Sequence, residues 1–463
     1  MKPAKSMRIG TLLGVLLSMV LCGAVAAQPG KREQREAKKL VEIADKAFKA
    51  KNYQGAVDGY ARSIAIVLNQ PYAHFWKGYA HYYLKQNDEA LAELNTALSQ
   101  GYKASEVYKV RWYLNFEAKN YDAALADISG ALKDDPGNVE MLVASGDVNY
   151  SKNQFPEALD AYTKASGKLP NNGDIYFYIA RTQAAIGNSN GQLTAAEEAL
   201  KKKTRFLADT LYLVGNAYQQ QRRYDEALAA YERAIAAKQD IHDAYRNMAE
   251  IYRIQGKFSD AVDISNKGLA IFPRDPDIYT DLSWFYSLSD KHEDAIQAAN
   301  AAIKIDNTRP MAYTNLCRAY NDLKRPELAV TACNNALKLN PEDGETMFYL
   351  ARAYDFAGRR GDATLYYKKA VVGLEKFTSQ TPDYSDGFYL LGNAYFADNQ
   401  REKAVEAYQK CLSLSPRFAR ARYNIGIIQV LQKNKTAAME QYTSLLTIDQ
   451  SLAGKLKAEI DKL

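Results

Sequence analysis

Apolar and polar positions alternate with helical spacing along most of this chain. Between residues 208 and 241, Leu211, Val214, Gly215 and Tyr218 recur at i, i+3, i+4 and i+7, one apolar stripe of an α-helix. The polar run from Gln221 to Asp225 interrupts the stripe. Ala227, Leu228, Tyr231 and Ala234 then resume it, so the spacing predicts two helices joined by a short turn. Turn-prone clusters close many such segments: Pro136-Gly137-Asn138, Pro170-Asn171-Asn172, Pro273-Arg274-Asp275, Pro341-Glu342-Asp343 and Pro416. Each proline stops a helix because it lacks an N–H and its ring clashes with the preceding turn.

The two-helix unit recurs. An alanine in a matching local setting stands at Ala56, Ala90, Ala124, Ala158, Ala227, Ala261, Ala295, Ala329, Ala363, Ala404 and Ala438. Successive gaps are 34 residues except for 69, which contains a degenerate unit with Gln192 at the equivalent place, and 41, which carries seven extra residues. The reading is twelve units over 37–452: 37–70, 71–104, 105–138, 139–172, 173–206, 208–241, 242–275, 276–309, 310–343, 344–377, 385–418 and 419–452. A leader, 28–36, precedes them. A capping helix over 453–463 follows, with Leu456, Ile460 and Leu463 on one face. The seven-residue insertion near 378–384 reads either as a hinge or contact loop or as an extended second helix with a longer turn. Small residues in the first helix (Gly78, Gly146, Gly215, Gly392, Gly426) oppose the alanine series of the second, which lets the two helices approach closely.

These positions carry a resemblance to the tetratricopeptide repeat (TPR) family. Phe388, Leu391-Gly392, Tyr395, Ala404, Tyr408, Cys411 and Pro416 follow its pattern, with Cys411 in place of a small residue. The resemblance implies an all-α solenoid, a right-handed superhelix of about twelve hairpins, with a concave groove lined mainly by first helices. It also implies a non-catalytic protein–protein interaction scaffold or adaptor that grips protein or peptide partners. Neighbouring units must share a core, because no hairpin can bury its apolar face alone.

The N-terminus adds a compartment. Lys2, Lys5 and Arg8 precede an apolar run, Ile9 to Leu21, and then Ala24-Val25-Ala26-Ala27. Positive, apolar, small is the order of a secretory signal peptide, read as 1–27. This predicts an exported, periplasmic protein of a bacterial cell envelope. Membrane attachment would require an uncleaved signal or lipid on Cys22. The formal net charge is +6, and three of those positives lie in the signal. The near-balance that remains argues against nucleic acid as partner. Self-association stays open. So do two alternative readings: a membrane-tethered assembly factor for secretion or polysaccharide export, and a carbohydrate-binding module or enzyme.

Chemistry is not signalled. No phosphate-binding glycine loop, Gly-x-Ser-x-Gly, His-Glu-x-x-His or Cys-x-x-Cys occurs, so no cofactor, metal or catalytic residue is expected. Projecting the family's groove positions onto the chain selects Phe75, Tyr79, Tyr82, Tyr83, Tyr113 and Phe116 as an aromatic end. It selects Arg246, Arg253, Arg318 and Arg352 with Trp284 as an arginine-bearing centre, suited to carboxylates of an extended peptide. Asn216 and Asn247 are spaced as in the family's carboxylate clamp, but Tyr212, Asp277 and Asp281 replace its cations, so the clamp is not carried over. Cys317 and Cys333 fall on the two helices of one unit at inward positions. They read either as a disulfide in an oxidising compartment or as two small buried hydrophobes.

Overall fold

A computed structural model describes residues 29–463, so the signal segment and Cys22 lie outside the described residues. Among the described residues there are twenty-five helices and no strand. They form two compact bodies, the first ending at Pro170 and the second running from Asn171 to Leu463. Each body is an all-α stack of helical hairpins.

The first body pairs α1 (Lys31–Lys49) with α2 (Tyr53–Ile66), and α3 (Pro71–Tyr83) with α4 (Asn87–Ser99). It continues with α5 (Ala104–Glu117) and α6 (Tyr121–Asp134), then α7 (Val139–Ser151) and α8 (Phe155–Lys168). The second body opens with α9 (Gly173–Ile186), α10 (Ser189–Lys201), α11 (Leu207–Gln220) and α12 (Tyr224–Ala237). Its centre is α13 (His242–Ile254), α14 (Phe258–Ile271), α15 (Pro276–Leu288), α16 (His292–Ile305), α17 (Pro310–Asp322) and α18 (Pro326–Leu339). It closes with α19 (Gly344–Phe356), α20 (Arg360–Gln380), α21 (Ser385–Ala397), α22 (Arg401–Leu414), α23 (Ala419–Leu431), α24 (Lys435–Leu446) and α25 (Gln450–Ile460).

What ends each first helix is a single left-handed residue. Positive φ occurs at residues 51, 85, 119, 153, 187, 222, 256, 290, 324, 358, 399 and 433, once per hairpin, and only three of these are glycine. The backbone closes there as a Schellman motif. At the first turn the Lys51 N–H donates to Phe48 O at 2.9 Å and the Asn52 N–H to Ala47 O at 2.9 Å. These bonds satisfy carbonyls the helix end would otherwise orphan, which offsets the steric cost of placing lysine or arginine in that region.

The two helices of a hairpin meet through small residues. Every alanine of the repeating series is at most 1% exposed. Opposite a first-helix glycine sits a buried tyrosine of the second helix: Tyr162 against Gly146, Tyr231 against Gly215 and Tyr408 against Gly392. The ring is held by its hydroxyl, which donates to Asp147 from Tyr162, to Gln219 from Tyr231 and to Asn393 from Tyr408, each at 2.7 Å. A Cβ on Gly392 would come within 2.5 Å of the Tyr408 ring. Gly392→Val is therefore expected to cost about 1–3 kcal/mol. Gly454→Ala, where nothing lies within 4 Å, is expected to raise stability slightly. Urea midpoints of the two variants check this; equal midpoints would show that the ring moves aside.

The degenerate unit keeps its register by a different bond. Gln192 is fully buried, and its Nε2 donates to Leu213 O at 2.7 Å, tying α10 to α11. Of the two readings of the insertion, the structure takes the extended helix: α20 has 21 residues where other second helices of this body have 12 to 14. At the C-terminus, α25 buries Ala453, Leu456 and Ile460. Leu463 does not join that face, because the helix ends at Ile460 and leaves Leu463 exposed.

Candidate functional site

In the second body the expected arginine-bearing centre is an internal network. Arg253, near the end of α13, lies 4.5 Å from the centroid of the Trp284 ring on α15. Its guanidinium bonds Glu250 at 2.7 Å and reaches Asp386, in the first turn of α21, at 3.2 Å. Arg318 on α17 stands 5.8 Å from the Trp284 ring and 4.9 Å from that of Tyr349, and it pairs with Glu345 on α19. Both arginines are buried. Arg246 pairs with Asp281 at 2.7 Å and Arg352 with Asp322 at 3.5 Å; these two remain partly exposed.

Electrostatics follow from that burial. Desolvation alone would lower the Arg253 guanidinium, but Glu250 and Asp386 hold it above its usual value. Glu345 is raised, since burial outweighs the pull of Arg318. Burial pushes the Tyr349 phenol up to about 12. These arginines were expected to meet the carboxylates of a partner; in the structure they meet carboxylates of the chain itself. The Arg253–Asp386 contact joins residues 133 apart, and Arg222 Nη1 donates to Leu414 O, 192 residues on, at 3.0 Å. Periodicity gives no warning of such pairs.

The asparagines serve the interior as well. Asn247 Nδ2 donates to the Tyr231 hydroxyl at 3.2 Å, and Asn216 lies against Tyr212. Cys317 and Cys333 form a disulfide linking α17 to α18, with Cα atoms 5.3 Å apart and both residues fully buried. Cys411 is a buried free thiol, held protonated by burial first and by nearby Asp386 second. His74 and His81 are each engaged locally, with Glu93 and Gln86.

The first body presents a different surface. Tyr83 on α3 is 43% exposed and stacks face to face on Tyr53 at 4.6 Å. Tyr79 packs on Tyr82 and Tyr83, and Tyr82 meets Tyr113 of α5 edge-on at 5.9 Å. Phe116 lies at the side of this run against Trp112 and Tyr121. Phe75 differs from the others: it is buried and stacked on Tyr102 at 4.5 Å, a packing residue. Sequence reasoning missed Phe48, Tyr53 and Tyr72. Phe48 and Tyr72 occupy first-helix groove positions of the first and second units, so the repeat register could have found them. Tyr53 starts a second helix and could not be found that way.

Among the described residues no cluster of His, Cys, Asp or Glu is arranged to hold a metal, and no helix is long and apolar enough to cross a membrane. Comparison with known proteins gives the family. Profiles described as TPR repeat or tetratricopeptide repeat match residues 392–433, 113–173, 212–276, 276–309 and 312–343. A curated relative, Protein SGT1 homolog of Bos taurus, is 26% identical over 117 residues, and the match spans 25% of this chain and 35% of that protein. Among solved structures, a tetratricopeptide repeat protein from Parabacteroides merdae aligns at 15% identity and a TM-score of 0.45, covering 56% of this chain and 98% of its own. A chain of the APC/C hetero-tetramer Cut9–Hcn1 aligns at 16% identity and 0.40, with coverages of 94% and 98%. Yeast Tom70 aligns at 14% identity and 0.38, with coverages of 92% and 94%. The matched segments fall on the hairpins described above, and this chain is built from tetratricopeptide repeats.

Proposed function

We propose that this chain is an exported, non-catalytic scaffold of a bacterial cell envelope that holds protein partners on the first-helix faces of its hairpins. One observation carries the reading. The first helices of the first body carry a contacting run of tyrosines, Tyr79, Tyr82, Tyr83 and Tyr113, with Tyr83 exposed, while the groove arginines Arg246, Arg253, Arg318 and Arg352 of the second body are engaged by its own carboxylates. Aromatic side chains give large contact area at small entropic cost, which is why they anchor protein interfaces. Export draws support from the positive, apolar, small order of residues 1–27 and from the Cys317–Cys333 bridge, which fits an oxidising compartment.

Site-specific photocrosslinking in cells tests the surface. A photoreactive side chain at Tyr83 is expected to trap a discrete protein adduct. The same group at Arg62, exposed on the second helix α2, is expected to trap none. Equal labelling from both positions, or no adduct at Tyr83, would overturn the assignment.

A further inference from the structure

The aromatic face of the first body is not electrically neutral. Within the repeat register, Asp45, Tyr79 and Tyr113 take equivalent places on α1, α3 and α5. Tyr72 and Glu140 are likewise equivalent on α3 and α7, and Tyr83 and Glu117 on α3 and α5. Tyrosines and carboxylates therefore interleave along one line of first helices. Asp45 accepts hydrogen bonds from Tyr60 at 2.6 Å and from Tyr72 at 3.2 Å. Glu117 accepts from Asn87 at 3.4 Å. Among the described residues, none of Asp45, Glu117 and Glu140 forms an ion pair with lysine or arginine.

The tyrosines report the same field. Burial pushes the Tyr72 phenol up to about 12, with Asp45 adding to it. Tyr113 is raised by Glu117 and by burial. Tyr79 is raised by burial, by Tyr83 and Tyr82, and by Glu140. By the same register two exposed lysines, Lys38 and Lys49, take the places of Tyr72 and Tyr83 on α1, at the edge of this face. Lys109 is paired with Glu106, and Lys85 sits 5.6 Å from the Tyr82 ring, so one ring already accepts a cation over its face. The contrast with the second body is one of charge matching: there Arg246, Arg253, Arg318 and Arg352 each have a carboxylate of the chain.

We propose that the face formed by Tyr72, Tyr79, Tyr83, Tyr113, Glu117 and Glu140 docks an extended polypeptide segment bearing arginine or lysine side chains. The partner's cations would lie over the tyrosine rings and complete the unpaired carboxylates. This rests on the scaffold reading above and names the chemistry of its partner. It reverses the expectation of a carboxylate-bearing partner drawn from the arginines alone.

The test is fluorescence anisotropy of two labelled synthetic peptides of equal length, one arginine-bearing and one glutamate-bearing, against the full chain. The arginine peptide is expected to bind, with affinity falling as salt rises, and the glutamate peptide is not. Glu117→Gln with Glu140→Gln is expected to weaken binding about tenfold or more, and Tyr83→Ala about tenfold. Glu157→Gln, on the second helix α8, is expected to change nothing. Circular dichroism shows that each variant keeps its helicity. Preference for the glutamate peptide, no binding of either, or unchanged affinity in the double glutamine variant would overturn the proposal. If the arginine peptide fails while Tyr83 still crosslinks a protein in cells, the scaffold reading stands and the charge assignment falls.

Discussion

Arg318→Ala is expected to destabilise the second body by about 3–5 kcal/mol, because it leaves the Glu345 carboxylate buried without its cation. Arg318 and Glu345 are each largely shielded from water, with side chains 11% and 16% exposed. Asp343 and Asp386 add to the negative field at Glu345, so nothing nearby takes over the role of the guanidinium. The large effect is the desolvated charge left behind rather than the net worth of the pair. Arg318→Met combined with Glu345→Leu should therefore cost far less than the single change. Urea titration followed by circular dichroism reads the midpoints. Hydrogen exchange over residues 310–414 locates the loss, since a repeat array opens locally before it opens globally. A single variant as stable as the double one would show that Glu345 finds water or protonates at little cost.

Loss of the Cys317–Cys333 bridge has the second largest expected effect. The two residues are 16 apart and fully buried, and the bond locks the two helices of one hairpin. Closing a loop of that length restricts the unfolded chain by about 3 kcal/mol. Cys317→Ala with Cys333→Ala should lower the melting temperature and make it insensitive to reductant, while the parent chain should lose stability on reduction. Alkylation of the unreduced, denatured chain from residue 29 onward should label one thiol, Cys411. Labelling of three would show that the bridge is not formed.

The readings that succeeded were those carried by local spacing. Alanine and glycine at fixed places marked where helices touch, and the structure buries every alanine of that series. The arginine positions show the limit. Their repeat register was legible, but register does not say which groups neutralise a guanidinium. Arg253 was expected to face a partner, whereas Asp386, 133 residues later, occupies that role. The aromatic residues fared unevenly for the same reason. Tyr83 is exposed and Phe75 is buried under Tyr102, although both stand at groove positions.

The sequence by itself determined the hairpin, its period and its turns, because each depends on contacts between residues a few turns apart. The left-handed turn residue recurs with that period for the same reason: it completes a bond pattern within six residues. Only the tertiary structure decided which first-helix faces remain open. That outcome depends on how the angles between successive hairpins accumulate within a body and on how the lengthened α20 sets the start of α21. Small rotations add over several hairpins until side chains more than a hundred residues apart meet.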